Sequence, residues 1–124
     1  MQKKVLIVDD SSTTRRMIST AIKRLRLQYE EAKDGFEALQ KLPTKTFDLL
    51  IVDINMPHIN GLEFIQYCKN SDQYKNIPII IISTEDSEED KKRGLSLGAN
   101  AYLIKPALPD QVVEVVQKVL QTEG

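Results

Sequence analysis

The chain has 124 residues, of which 41% are apolar and 28% charged, and this composition indicates one folded domain rather than a disordered segment. Its 17 basic and 18 acidic residues argue against a general nucleic-acid or membrane-surface binder, because such binding depends on a large positive excess. A single Cys68 and a single His58 exclude an internal disulfide and a structural zinc site, and no apolar run approaches the roughly 20 residues of a membrane span, so we expect a cytoplasmic protein without membrane insertion.

Four short apolar runs predict buried strands, and each run stops at a polar residue. They are residues 5–8 before Asp9, 49–52 before Asp53, 79–82 before Ser83, and 101–104 before Lys105. Apolar residues at consecutive positions are typical of strands that are covered on both faces, as in a parallel sheet. Residues 27–32 instead alternate between apolar and polar, which predicts an edge strand.

Helical periodicity fills the intervals between these strands. The predicted helices begin near Ser12, span residues 36–42 and 62–68, begin at Ser87, and follow Pro109. The helix after Ser87 has acidic residues in its first turn and a thin apolar stripe, so we expect it to pack lightly. Five strands alternating with five helices predict an α/β fold, a doubly wound five-stranded parallel sheet with (βα)5 connectivity.

Ligands of such sheets bind outside the carboxyl ends of the strands, and this sequence places five polar residues at four of those ends. They are Asp9, Asp10, Asp53, Ser83 and Lys105. Each one alone has an ordinary explanation as a helix cap, a turn residue or an incidental surface group. Three carboxylates at adjacent strand ends, however, repel one another unless a cation lies among them.

The residue types at these ends point to phosphate chemistry. Carboxylate oxygens suit Mg²⁺, whereas Lys105 and Ser83 suit the oxygens of a phosphoryl group, one as a positive charge and the other as a donor. The pattern predicts a phosphoryl-transfer site with a carboxylate as the nucleophile. Asp53 is the natural candidate, since it ends the most continuously apolar central strand.

These motifs, in this order and spacing, resemble the receiver domain of two-component response regulators. The matching segments are Asp9-Asp10, Asp34-Gly35, Asp53 to Pro57 with Gly61, Ser83, Leu97 to Ala99, and Lys105-Pro106. The stretch from Ser12 to Met17 is most similar to single-domain chemotaxis regulators. The resemblance covers nearly the whole chain as one receiver domain, residues 1–124, and implies a flavodoxin-like strand order 2-1-3-4-5.

The resemblance implies a role for each acidic position. Asp53 is expected to accept the phosphoryl group from a phosphohistidine on a sensor histidine kinase. Asp10, Asp53 and the main-chain carbonyl of Asn55 are expected to hold Mg²⁺, with Asp9 acting through water.

The resemblance also implies a switch. Lys105 is expected to neutralise a phosphoryl oxygen and to precede Pro106 through a cis bond. Ser83 is expected to move toward the phosphoryl group while Tyr102 turns inward behind it. We expect the change in the lightly packed segment 87–98 and in the strand that carries Tyr102.

The implied function is a signalling switch that carries chemistry on itself, not an enzyme that turns over a foreign substrate. Its expected partners are a sensor histidine kinase, a downstream protein target, for which a flagellar motor switch is one candidate, and a phosphatase. No DNA-binding or catalytic region follows Gly124, so we expect a protein contact as the output, although a receiver cut from a longer chain has the same sequence.

Three other functions stay open. A phosphorelay intermediate and a degenerate receiver that only binds a partner are both compatible with these residues. An aspartate-nucleophile phosphatase is less so, because Asn55 stands where those enzymes carry an acidic general acid. A flavin mononucleotide binder is disfavoured, since the loop at residues 11–14 has no Gly and the chain has no Trp.

Several positions outside these motifs receive ordinary interpretations. His58 is interpreted as solvated, with a modulatory contact as the alternative. Arg15 and Arg16 are interpreted as part of a solvated basic face of the first helix, with docking of a kinase's phosphotransfer domain or of a phosphatase as the alternative. Ala107 and Asn60 depart from the residues common in the family, but neither removes a catalytic group.

Overall fold

The computed structural model describes residues 2–56 and 59–123, so the expectation for His58 lies outside the described residues. The strands are β1 (Lys4–Val8), β2 (Gln28–Ala32), β3 (Leu49–Asp53), β4 (Ile79–Ser83) and β5 (Ala101–Ile104). The helices are α1 (Ser12–Arg24), α2 (Gly35–Lys41), α3 (Gly61–Lys69), α4 (Glu88–Ser96) and α5 (Pro109–Glu123), with a 3-10 turn at Leu42–Thr44. None of the helices within the described ranges has the length and apolar character needed to cross a membrane.

All five strands are parallel, in the order β2-β1-β3-β4-β5. This order confirms the fold class and the topology that the resemblance implied. β2 lies at one edge, as its alternating pattern predicted. β5 lies at the other edge and all four of its residues are only partly buried, which differs from the fully covered strand that its apolar run suggested. The difference arises because β5 pairs with a single neighbour, β4.

The central strands each carry four consecutive apolar residues, at positions 5–8, 49–52 and 79–82, because they contribute to two cores, one on each face of the sheet. One core joins the sheet to α2 and α3 through Leu6, Val8, Leu50, Val52, Ala38 and Phe64. The other joins it to α1 and α5 through Val5, Ile7, Leu49, Ile51, Ile18 and Val112. Successive side chains of a strand point to opposite faces, so a strand between two helical layers must be apolar throughout.

α4 is packed far more lightly than the other helices, as its thin apolar stripe predicted. Gly94 is the one buried residue within Glu88–Ser96, and Leu95 is 45% exposed. The helix is instead stabilised at its start, where Ser87 Oγ accepts a hydrogen bond from the Asp90 amide at 3.1 Å and donates to Asp90 Oδ2 at 2.6 Å. The helix that follows β4 is therefore held by a capping interaction more than by a core.

Candidate functional site

The parallel register brings the polar strand ends to one edge of the sheet. Val8 pairs with Val52, so Asp9 begins its loop beside Asp53. Ser83 pairs with Ile104, so Lys105 follows directly beside Ser83, and the Lys105 amide donates to the Ser83 carbonyl at 2.8 Å. The sheet thus converts residues far apart in the sequence into neighbours.

Three carboxylates meet at this edge. Oxygen atoms of Asp9, Asp10 and Asp53 all lie within 4.8 Å of one another. Asp9 is fully buried and Asp53 is 1% exposed, whereas Asp10 faces solvent. Two buried acids and one accessible acid form a cluster that is open on one side.

The Lys105 ammonium is the counter-charge that lies among them. Its Nζ lies 3.0 Å from Asp9 Oδ2 and 3.3 Å from Asp53 Oδ2. Burial alone would lower the pKa of Lys105, but the contact with Asp9 and the negative charges of Asp9 and Asp53 outweigh it and raise the pKa. One ammonium thus contacts two of the three acidic groups, and the cluster has more acidic groups than basic ones.

The excess of acidic groups affects the ionisation of Asp53. Burial raises the pKa of its carboxyl group to about 6, and the neighbouring charge of Asp9 adds to the effect. The Asn55 amide, which donates to Asp53 Oδ1 at 3.0 Å, and the Lys105 ammonium both oppose it. Asp53 is therefore an acid whose ionised form is poorly stabilised by the protein alone.

The acidic cluster fits Mg²⁺ in its donor chemistry. Mg²⁺ prefers carboxylate and carbonyl oxygens and keeps several waters, which an open cluster allows. Asp9 Oδ2 is buried, and its charged partner is the Lys105 ammonium at 3.0 Å. With one ammonium close to Asp9 and Asp53 and a third carboxylate beside them, the cluster has carboxylate oxygens left over for a divalent cation or for a water that the cation holds.

Ser83 lies fully buried at the end of β4, and its hydroxyl contacts the loop that follows the strand. Its Oγ accepts a hydrogen bond from the Glu85 amide at 2.9 Å and lies 3.4 Å from Asn55 Nδ2. The Tyr102 hydroxyl donates to the Glu85 carbonyl at 2.8 Å. Ser83 and Tyr102 are thus connected through one residue of the β4–α4 loop.

Sequence reasoning missed the contact of Arg15 with the site, and the motif that includes Gly61 did not show what this glycine packs against. Arg15, interpreted as part of a solvated face, is only 19% exposed and its Nη1 donates to the Asp9 carbonyl at 2.7 Å. A cation in the first turn of a helix was an available signal, because the helix dipole disfavours it there. Gly61 lies against the backbone of Asp53, and its Cα approaches too closely for any side chain.

Comparison with known proteins identifies the family. The model of the response regulator receiver domain matches residues 5–117. This chain belongs to the response regulator receiver domain family. The resemblance drawn from the strand-end motifs is thereby confirmed, and receiver domains are signalling modules that take phosphoryl groups from histidine kinases.

The receiver domain has several close relatives among characterised proteins. It is 41% identical over 123 residues to the chemotaxis protein CheY1 of Helicobacter pylori, covering 96% of this chain and 98% of that protein. A solved structure of the Vibrio cholerae chemotaxis protein CheY4 superposes with a TM-score of 0.90 at 40% identity, covering 97% of this chain and 100% of the other. A gliding motility regulatory protein of Myxococcus xanthus is 41% identical over 110 residues, and this match covers 89% of this chain but only 14% of that protein.

Proposed function

We propose that the chain is a phosphorylation-activated switch of the cytoplasm, in which Asp53 accepts a phosphoryl group from a histidine kinase in a Mg²⁺-dependent reaction. Phosphorylation then changes its surface so that it binds a downstream protein in chemotaxis or motility. The observation that carries the proposal is the convergence of Asp9, Asp10 and Asp53 within 4.8 Å, with Lys105 Nζ 3.3 Å from Asp53.

Asp53 is the nucleophile in this proposal because it alone of the three acids touches both Lys105 and the turn at Asn55. One of its carboxylate oxygens forms the new bond to phosphorus as the bond from phosphorus to the donor's imidazole nitrogen breaks. Asp10, Asp53 and the Asn55 carbonyl would hold Mg²⁺, with Asp9 acting through water, and the ion would supply positive charge to the phosphoryl oxygens. The same charge favours the ionised form of Asp53, which burial disfavours.

Lys105 provides positive charge beside Asp53 both before and after the phosphoryl transfer. It lies between Asp9 and Asp53, so it can turn from the carboxylates toward a phosphoryl oxygen on Asp53 without leaving the site. The Lys105-Pro106 peptide bond is cis, and it carries the chain from the site into α5.

The switch in this proposal begins at Ser83. A phosphoryl group adds about 1.5 to 2 negative charges and new acceptor oxygens beside the end of β4. The Ser83 hydroxyl would then donate to a phosphoryl oxygen and release the Glu85 amide that it now accepts from. Tyr102 is already partly buried against the core, and because its hydroxyl is bonded to the Glu85 carbonyl, a movement of this loop would draw Tyr102 further inward.

The lightly packed α4 is where this local change becomes a change of surface. α4 follows the Ser83–Glu85 loop and buries Gly94 alone, so little core packing opposes its displacement. A partner that recognises the displaced arrangement shifts the equilibrium further by its differential affinity.

The chemotaxis and motility context is supported by the names of the relatives at about 40% identity, and a flagellar motor switch is one candidate target. A phosphatase that removes the phosphoryl group is a further expected partner. A phosphorelay intermediate would share the same chemistry on Asp53 and would differ in passing the phosphoryl group on.

Intact-protein mass after incubation with acetyl phosphate tests the proposal. Wild type and Asp53→Asn are each treated with Mg²⁺ and with EDTA, and a panel of phosphorylated histidine kinases replaces acetyl phosphate in a second series. A gain of one phosphoryl mass that requires both Mg²⁺ and Asp53 is the expected result. Labelling that persists on Asp53→Asn would show a different acceptor, and no labelling from any donor would leave a degenerate receiver that only binds.

A further inference from the structure

Arg15 connects the acidic cluster to the edge strand through two different nitrogen atoms. Its Nη1 donates to the main-chain carbonyl of Asp9 at 2.7 Å, and its Nε donates to Glu31 Oε1 at 2.9 Å. The Arg15 side chain is 19% exposed and that of Glu31 is 39% exposed, so this contact is partly withdrawn from solvent. We call this arrangement the Arg15 clamp.

The clamp acts on the carbonyl of Asp9, a residue whose amide and side chain have other partners. β1 ends at Val8, so Asp9 is the first residue beyond the strand. Its amide still donates to Ala32 at the end of β2 at 3.1 Å, and its Oδ1 accepts from the Ser11 amide at 2.8 Å. Of the polar groups of Asp9, the carbonyl is the one that Arg15 holds, and that peptide group leads directly into Asp10.

The position of Arg15 in its helix gives no reason for a cation. Arg15 is the fourth residue of α1, where the partial positive charge of the helix N-terminus opposes a positive side chain. Helical side chains point back toward the N-terminus, and this direction carries the guanidinium over the first turn to Asp9. The planar fork of arginine can serve an oxygen at each of two nitrogens, which a lysine ammonium on one flexible stem does less well.

We infer that Arg15 is a positioning residue for the cation site: by holding the Asp9 carbonyl against Glu31, it fixes the peptide that orients the Asp9 and Asp10 carboxylates. The inference rests on the Mg²⁺ site of the proposed function and adds a residue that touches neither the cation nor the phosphoryl group. Groups that orient metal ligands from outside commonly change metal affinity by about ten- to a hundredfold when they are removed.

The sign of the effect separates positioning from simple charge. Loss of a nearby positive charge should tighten the binding of a divalent cation, because the repulsion between them disappears. Loss of a positioning contact should weaken it, because the carboxylates must then be ordered by the cation itself. A positioning role for Arg15 therefore predicts a change opposite to the one that electrostatics alone predicts.

The test measures the affinity for Mn²⁺, followed by electron paramagnetic resonance of the free ion and repeated with Mg²⁺ as competitor. The variants are Arg15→Gln, Arg15→Lys and Arg16→Gln, the last being an exposed arginine of the same helix that controls for the loss of one positive charge. Thermal unfolding in EDTA is measured for each, so that a general loss of stability is recognised. Arg15→Lys keeps the charge and serves if Arg15→Gln fails to fold.

We expect Arg15→Gln to weaken Mn²⁺ binding about tenfold, Arg15→Lys to weaken it by a smaller factor, and Arg16→Gln to leave it unchanged or slightly tighter. Equal or tighter binding by Arg15→Gln, or full wild-type affinity in Arg15→Lys, overturns the inference. A lowered unfolding temperature with unchanged affinity also overturns it, since the role would then be structural.

Asp10→Asn distinguishes this inference from the proposed function. If wild type binds no Mn²⁺, or if Asp10→Asn binds it as tightly as wild type, the cation site itself is wrong and the inference about Arg15 falls with it. If Asp10→Asn loses binding while both Arg15 variants retain it, the cation site stands and the role of Arg15 alone is overturned.

Discussion

A β-carbon on Gly61 would lie 2.2 Å from the main-chain carbonyl oxygen of Asp53. It would also lie 2.5 Å from the Cα of Ile54, and the Gly61 amide already donates to the Ile54 carbonyl at 3.1 Å. The first residue of α3 is therefore packed directly against the backbone that carries the phosphoryl acceptor. Since the atoms in the way belong to the main chain, no side-chain rotation can relieve the contact.

Gly61→Ala is expected to destabilise the protein by about 2–3 kcal/mol, because relief of the clash requires a backbone shift at Asp53 or a displacement of α3. The measurement is urea unfolding, with Mn²⁺ affinity as a second readout of the Asp53 backbone. Gln66→Ala, an exposed substitution on the same helix, is the control and should change stability by less than about 0.5 kcal/mol. Stability and affinity both at the wild-type level would show that α3 can move away without cost.

Asp53→Asn is expected to stabilise the cation-free protein at neutral pH. In the folded state burial raises the pKa of Asp53 to about 6 from its ordinary value of 3.8, so the folded protein binds more protons than the unfolded chain between these values. Stability of the wild type should therefore fall as pH rises through that range, and the amide variant should avoid the loss. The expected gain at pH 8 is about 1–3 kcal/mol, since one pKa unit corresponds to about 1.4 kcal/mol.

Urea unfolding in EDTA at several pH values between about 4 and 8 measures this difference. The gap between Asp53→Asn and wild type should widen with rising pH and level off above the folded-state pKa. Adding Mg²⁺ at pH 8 should narrow it by stabilising the wild type more than the variant. A difference in the free energy of unfolding that stays constant across the pH range would mean that burial does not raise the pKa of Asp53.

The strand ends illustrate why much of the site can be predicted from sequence and some of it cannot. Asp53 and Ser83 each follow a run of apolar residues, and parallel pairing brings such run ends to one edge whatever the loops do. Arg15 carries no such mark, because its contacts with Asp9 and Glu31 depend on where α1 lies over the sheet. The tertiary contacts of a single side chain leave no periodic pattern in the sequence from which they could be predicted.

The partial burial of β5 was hidden in its own residues for a related reason, although the strand order that the resemblance implied already placed β5 at an edge. Its run is as apolar as that of β4, but all of its residues are only partly buried, since apolarity reports what covers the faces of a strand and not how many strands flank it. The closeness of Gly61 to Asp53 was equally hidden, since the motif marks a glycine there without showing what lies against it.

Ser87→Ala is expected to loosen α4 while leaving the rest of the protein folded. The variant loses both hydrogen bonds that Ser87 makes with Asp90, which costs about 1 kcal/mol for a capping residue. Because α4 buries Gly94 alone, this loss should appear as local opening rather than global unfolding. Amide hydrogen exchange of residues 88–96 should accelerate about fivefold, as about 1 kcal/mol implies.

Lys92→Ala, at an exposed position of α4, is the control for Ser87→Ala and should leave exchange in the helix nearly unchanged. Exchange that accelerates equally across β1, β3 and α4 in Ser87→Ala would indicate that α4 opens only when the whole domain unfolds. In that case the lightly packed helix would be a poor candidate for the moving part of the switch.

Lys105→Ala is expected to keep cation binding while losing the conformational response to phosphorylation. Removing the ammonium that lies 3.0 Å from Asp9 and 3.3 Å from Asp53 takes away a positive competitor of the cation, so Mg²⁺ affinity should be retained or increased. A phosphoryl group on Asp53 would then lack the Lys105 ammonium that draws it toward β5.

The amide chemical shifts of residues 84–98 report the conformational response. They are recorded before and after treatment with acetyl phosphate, and labelling is verified by mass. Wild type and Lys92→Ala should show shifts spreading through this segment, whereas Lys105→Ala should show them near Asp53 alone. An undiminished spread in a fully phosphorylated Lys105→Ala would remove Lys105 from the coupling and leave Ser83 as its sole origin.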